Sequence, residues 1–178
     1  HVVDYDPTNG KVIIKQTHQG YSNASAWARG QAWGLYGYTV MYRITKDKKY
    51  LQQANDIAQF MMNHPNVPAD KIFYWDFNSP EIPATYRDAS AAAITASALL
   101  ELSKYADAKK SASYFAFSEQ IIRALSSKTY TANIGENGGF ILKHCVGNLP
   151  SNSEIDTPLT YADYYYIEAL MRYKAMAK

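Results

Sequence analysis

Apolar positions along the chain fall into blocks of two kinds, alternating in order. After the polar stretch Ser22–Ser25 and on to about Thr45 they occupy nearly every face of a predicted helix: Trp27, Ala28, Ala32, Trp33, Leu35, Tyr36, Val40, Met41 and Ile44. A helix apolar all round belongs in the interior of a water-soluble protein. Gly30, Gly34 and Gly37 thin it where another backbone could approach. After the polar turn Lys46–Lys49, a helix over Lys49–Asn63 is of the second kind. Leu51, Ala54, Ile57, Ala58 and Met61 recur at three- and four-residue spacing, giving it one buried face. A loop from His64 to Arg87 follows, where Pro65, Pro68, Pro80 and Pro83 block regular structure and Ile72–Trp75 reads as extended. Asp88 is the expected N-cap of a third helix, Ala89–Tyr105, with little polar face. A fourth, Lys110–Ser126, is amphipathic at Tyr114, Phe117, Ile121 and Leu125, and a fifth spans Tyr161–Ala175.

His1–Gln19 has a different pattern. β-Branched runs flank Pro7-Thr8-Asn9-Gly10, which predicts a β-hairpin. The remainder repeats as buried helix, turn, amphipathic helix and long loop, with a period of roughly 60 to 70 residues, each unit an αα-hairpin. An open α-solenoid and an α/α toroid both fit. The toroid accounts better for the two helix types, as inner and outer rings, and gathers the long loops at one end, where a site would be built. A closed ring needs more hairpins than this chain supplies. The expected fold is therefore all-α, part of a toroid, with an N-terminal β-hairpin. Inner helices with one flank unpaired would expose an apolar patch.

Composition narrows the function classes. With 178 residues the chain can bury roughly 70% of its unfolded surface as one domain. Its 18 basic and 16 acidic residues lie in no long run, which argues against a nucleic-acid footprint. No apolar run approaches the ~20 residues of a membrane span, and the opening residues do not read as a signal peptide. A soluble domain, or part of one, is expected, without membrane or nucleic-acid partners. The single Cys145 cannot form an internal disulfide, and the four histidines show no metal-ligand spacing. Twenty-five aromatic residues, sixteen of them tyrosine, suit either sugar stacking or thick helix packing.

The densest polar and aromatic cluster is Gln16-Thr17-His18-Gln19-Gly20-Tyr21 with Ser25, Trp27, Arg29 and Trp33. Placed on a helix, Ser25, Arg29 and Trp33 share a face. A guanidinium forks two donors toward a carboxylate, Trp33 offers a flat ring face, and His18 and Gln19 add hydrogen-bonding groups. The composite reads as an acidic-sugar pocket. The competing readings are an ion pair for Arg29, core packing for Trp33 and loop bracing for His18. Asp76, among rings, and Asp88, after Arg87, are candidate acids, although loop bracing for the first and N-capping for the second are the favoured readings. No carboxylate pair has a spacing that marks it as catalytic.

Thr17-His18-Gln19-Gly20-Tyr21 and Trp27-Ala28-Arg29-Gly30-Gln31-Ala32-Trp33 resemble the unsaturated glucuronyl hydrolases, glycoside hydrolase family 88. Tyr74-Trp75-Asp76-Phe77, Arg87-Asp88-Ala89-Ser90 and Asp156-Thr157-Pro158-Leu159 continue the agreement. A related family acting on unsaturated rhamnogalacturonides differs just after the Trp-Ala-Arg-Gly. The resemblance implies an (α/α)6 barrel, with residues 1–178 its C-terminal half: 1–21 hairpin and loop, 22–178 helical hairpins. It implies hydrolysis of oligosaccharides with a non-reducing-end 4,5-unsaturated uronic acid, left when lyases degrade glycosaminoglycans. The C4=C5 enol ether is hydrated, with no metal or organic cofactor. It also assigns Arg29, Trp33, Ser25, His18, Gln19 and His1 to substrate binding. Where the family often has serine after the histidine of Phe140–His144, this chain has Cys145. The family's proton-donating aspartate and the one assisting it precede the position of His1. No catalytic residue is therefore carried over, and a missing N-terminal half or another chain is implied to close the barrel. A non-catalytic acidic-sugar-binding module and an α-solenoid interaction module remain the alternatives.

Overall fold

The computed structural model describes residues 2–177. Two antiparallel strands, β1 (Val2–Tyr5) and β2 (Val12–Gln16), open the chain. The turn between them is a loop built on one carboxylate rather than a two-residue Asn-Gly turn. Asp6 accepts from the Thr8 and Asn9 side chains, and its backbone bonds to Gly10 and Lys11. Gly10 sits at φ 72°, where only glycine is at ease.

Five helices follow: α1 (Ala28–Thr45), α2 (Lys48–Asn63), α3 (Ala89–Leu102), α4 (Ala108–Leu125) and α5 (Thr160–Met176). Asp47, Asp88 and Asp107 cap α2, α3 and α4 by accepting backbone N–H groups of the first turn. A second hairpin, β3 (Cys145–Asn148) with β4 (Ser153–Thr157), lies within what reads in sequence as a long loop. The alternating pattern that would betray it is broken. Asn152, Glu154 and Asp156 all have positive φ, and the register shifts between Cys145 and Val146.

All fourteen residues of α3 are buried, with α1 and α5 against it on the inner side and α4 behind. A helix enclosed on every side must let its neighbours come close, and α3 does so with alanine at 89, 91, 92, 93, 96 and 98. Its polar side chains are satisfied. Thr95 bonds to the Ala91 carbonyl, and Glu101 receives Arg43 of α1 and Arg172 of α5. Rings of α1 and α5 meet across the same face of α3, Trp33 and Tyr36 each about 5 Å from Tyr165. An extended solenoid would hold elements two repeats apart out of contact. This curvature belongs to part of an α/α barrel, with α1, α3 and α5 inside and α2 and α4 outside.

Three sequence expectations need correction. The first helix begins at Ala28, because residues 22–27 are engaged with the 72–79 segment instead. Gly30 and Gly34 admit the Trp27 ring and the Ile57 side chain, not a neighbouring backbone, and nothing approaches Gly37. Nor is α1 buried all round: Tyr38, Met41 and Ile44 are exposed, as are Tyr164, Ile167 and Met171 of α5. These faces border the two open flanks of the inner layer.

The contrast between core and flank is measurable. Leu99→Ala in α3 should cost about 2–5 kcal/mol in denaturant unfolding. Ile44→Lys with Met171→Lys should stay within about 0.5 kcal/mol per site and lower binding of a hydrophobic dye. A compact monomer that binds no dye before mutation would contradict exposed flanks.

Candidate active site

The segments that precede the inner helices gather at one end of the layer, where α1, α3 and α5 begin. Residues 72–77 run extended and buried through this end. Ala28 donates to the Trp75 carbonyl, Phe77 to that of Ala26, and Asp88 to that of Phe73. The 64–88 loop thereby fixes the start of α1 against the start of α3.

Arg29 lies at the centre and is only 2% exposed. Its Nη1 is 3.0 Å from Asp88 Oδ2. It also donates from Nη1 to the Val146 carbonyl and from Nη2 to the Gly147 carbonyl. The guanidinium lies 4.7 Å from the Trp27 ring centroid and 5.5 Å from that of Tyr161. Asp88 meanwhile accepts from Ser90 and from the Val146 N–H. One carboxylate thus caps α3, neutralises Arg29 and holds β3. Of the five guanidinium N–H groups, the Nε–H and one Nη2–H have no hydrogen-bond partner among the described residues.

The predicted site residues divide between neighbouring surfaces. His18 and Gln19 line a cavity of about 300 Å³ together with Val2, Thr17, Trp27 and Gln31. Gln19 also donates to the Gly147 carbonyl at 2.9 Å, so it and Arg29 share one acceptor. Trp33 lies farther along α1, against Tyr161 and Tyr165 and bordering an apolar groove of about 480 Å³. Ser25 precedes the helix and cannot share its face with Arg29 and Trp33. Its hydroxyl is 2.7 Å from Asp76 Oδ2. His1 lies outside the described residues.

Neither candidate acid is free. Buried Asp76 accepts from the Ser25 hydroxyl and from the backbone N–H groups of Tyr21 and Asn78. Burial pushes the Tyr161 phenol up to about 12 and raises the Cys145 thiol well above its ordinary value. Neither is ionised near neutral pH. No group of metal-ligating side chains occurs among the described residues.

Sequence reasoning placed Trp27 in the cluster with Arg29 but missed the Val146 and Gly147 carbonyls and the Tyr161 ring. The one signal for the carbonyls was Gly147 itself. A Cβ there would stand 2.5 Å from that of Glu154, so the hairpin closes only over glycine.

No family model matches the chain. It is 52% identical over 172 residues to an unsaturated glucuronyl hydrolase of Formosa agariphila, covering 97% of this chain and 42% of that protein. It is 35% identical over 177 residues to an unsaturated chondroitin disaccharide hydrolase of Streptococcus pyogenes serotype M1, covering 97% and 43%. The crystal structure of a heparin-specific unsaturated glucuronyl hydrolase superposes with a TM-score of 0.96 at 58% identity, over 99% of this chain and 47% of that one. The chain belongs to the unsaturated glucuronyl hydrolase family. It spans less than half the length of these relatives. A mutant family member from Streptococcus agalactiae, solved in complex with dGlcA-GalNAc6S, matches with a TM-score of 0.80 at 35% identity over 96% of this chain and 45% of that one.

Two expectations follow from the local geometry. Gly147→Ala should lower stability by about 1–3 kcal/mol through overpacking, and adding Glu154→Gly should recover most of it, read as unfolding midpoints. Cys145 should resist a thiol reagent in the native chain and react fully once denatured, because burial keeps it protonated and inaccessible.

Proposed function

We propose that this chain is the substrate-binding, C-terminal half of an enzyme that hydrolyses oligosaccharides bearing a non-reducing-end 4,5-unsaturated uronic acid. Of the described residues, 2–21 form its hairpin and loop, and 22–177 its helical hairpins with the β3–β4 hairpin between α4 and α5. The observation that carries the proposal is Arg29: a buried, fixed guanidinium that shares the Gly147 carbonyl with Gln19, which lines a cavity with His18. A uronate carboxylate is a planar anion suited to a guanidinium fork, and burial strengthens such a contact. His18 and Gln19 supply hydrogen bonds to sugar hydroxyls. Trp33 offers a ring face along the same helix, and Ser25 braces the wall through Asp76. Glycosaminoglycan lyase products are the favoured substrates, in keeping with the chondroitin and heparin named for the relatives.

In the reaction, a proton is delivered to C4 of the enol ether and water adds at C5. The hemiketal then opens and the glycosidic bond is lost. Asp76 and Asp88 are both committed to bracing, so the proton donor is assigned to the remainder of the barrel. That remainder would also cover the exposed faces of α1 and α5.

Absorbance of the conjugated double bond in unsaturated chondroitin and heparin disaccharides tests this, with circular dichroism confirming the fold. The folded chain alone should leave the absorbance unchanged yet bind the disaccharide. Mixed with the N-terminal half of the Formosa agariphila relative, it should consume it. Turnover by the chain alone would place the acid within these residues, with Asp76 and Asp88 the first to mutate. Absence of both binding and turnover would overturn the function. Arg29→Lys should weaken disaccharide binding by more than 1 kcal/mol, since it keeps a cation near Asp88 and loses the fork. Arg29→Ala is the poorer test, because it strands the buried Asp88 charge at about 3–5 kcal/mol of stability.

A further inference from the structure

The turns at the end of the layer remote from Arg29 carry a concentrated charge. Residues 46–47 join α1 to α2, and residues 103–107 join α3 to α4. The two turns lie side by side. Lys46 Nζ is 5.8 Å from the Tyr42 ring centroid and 5.5 Å from that of Tyr105, and those rings meet edge to face at 5.1 Å. Lys46, Lys48, Lys49, Lys104, Lys109 and Lys110 are all exposed here. Asp47 and Asp107 are the carboxylates between them, so residues 46–49 and 104–110 hold +4 in a chain whose whole charge is +2. Glu101, beneath this surface, is buried and engaged with Arg43 and Arg172.

Local stability does not account for these lysines. Lys48 and Lys49 occupy the first turn of α2, Lys109 and Lys110 that of α4, and neither turn contains an acid. The start of a helix is its positive pole, so four ammonium groups stand where the backbone favours carboxylates. Lys46 takes the left-handed C-cap of α1 at φ 58°, a conformation that suits glycine. Asp47 pairs with Lys49 at 3.0 Å and Asp107 meets Lys110 at 3.9 Å. Lys46, Lys48, Lys104 and Lys109 have no ion-pair partner among the described residues. A departure from local preference repeated at two neighbouring turns points to a function. Crowded like charges repel, and a polyanion laid across them relieves the repulsion while releasing its own counter-ions. Arginine forks, which favour phosphate and base edges, are missing from this surface, since Arg43 and Arg172 are engaged with Glu101. Ammonium point charges suit the spaced sulfates of a polysaccharide instead.

We infer that this face is a docking surface for a sulfated polysaccharide chain, holding the protein on the polymer whose fragments the Arg29 site takes. The choice of polymer rests on the function proposed above; the charge of the face does not. Binding to immobilised heparin tests it. The unmodified chain should be retained, elute as salt rises, and stay bound in saturating unsaturated disaccharide, which separates this face from the Arg29 site. Lys48→Glu with Lys109→Glu should lower heparin affinity about tenfold and leave disaccharide binding unchanged. The same pair should keep or raise the melting temperature, because each carboxylate gains a favourable helix pole, so lost binding is not lost structure. Lys11→Glu with Lys128→Glu makes the same change in net charge elsewhere on the surface and should cost less than about twofold. No retention at low salt, or equal losses from both pairs, overturns the surface. Tighter binding to a DNA duplex carrying as many charges overturns the polysaccharide as its partner. Disaccharide binding without heparin retention overturns this inference alone. Heparin retention that depends on Lys48 and Lys109, without disaccharide binding, supports the surface and overturns the function proposed for the Arg29 site.

Discussion

A guanidinium withdrawn from water governs this end of the molecule. Taking an ion out of solvent costs several kcal/mol even after relaxation, and the cost is offset only by a counter-ion and well-placed acceptors. Arg29 draws its partners from three separate stretches: Asp88 at the head of α3, the carbonyls of β3, and the ring of Tyr161 at the head of α5. Removing Asp88 would leave the guanidinium buried without its counter-ion. The start of each inner helix and the hairpin between α4 and α5 are therefore positioned by one side chain, and Gln19 joins them by sharing the Gly147 carbonyl.

The opposite ends of the same helices are joined by a second charged cluster. Glu101 of α3 receives Arg43 from α1 and Arg172 from α5, and Arg172 also meets Glu168 within its own helix. Between the two clusters α3 is lined with alanine, so the layer is dry and closely packed in the middle and polar at both ends. Arg43 is half exposed where Arg29 is buried, so solvent screens the lower cluster more and each contact there contributes less. The cavity lined by His18 and Gln19 lies at the upper end, where the loops supply concave surface on rigid supports.

The helices were legible in the sequence because each carries its own evidence. Single-faced spacing marked α2 and α4, near-continuous apolarity marked α1 and α3, and Asp88 marked the cap of α3. The alternation of buried and amphipathic helices also distinguished inner from outer positions. The grouping of Ser25, Arg29 and Trp33 on one face was less legible. It assumed helical geometry from Ser25 onward, whereas residues 25–27 are engaged with the 72–79 segment, an interaction with no local trace. The β3–β4 hairpin was invisible for a similar reason, since positive φ at Glu154 and Asp156 erases the alternation that strands ordinarily show.

By itself the sequence determined the helical repeat, the composition of each buried face and the motifs around Arg29 that tie the chain to its family. Those properties depend on side chains a few residues apart, within reach of periodicity. Only the tertiary structure decided which acid neutralises Arg29, that the Gly147 carbonyl serves two side chains, and that the lysines of residues 46–49 and 104–110 crowd one face. Each of these depends on residues dozens of positions apart, brought together by the curvature of the inner helices. The energy of desolvating a charge, or of crowding like charges, belongs to that assembled environment, and no local pattern encodes it.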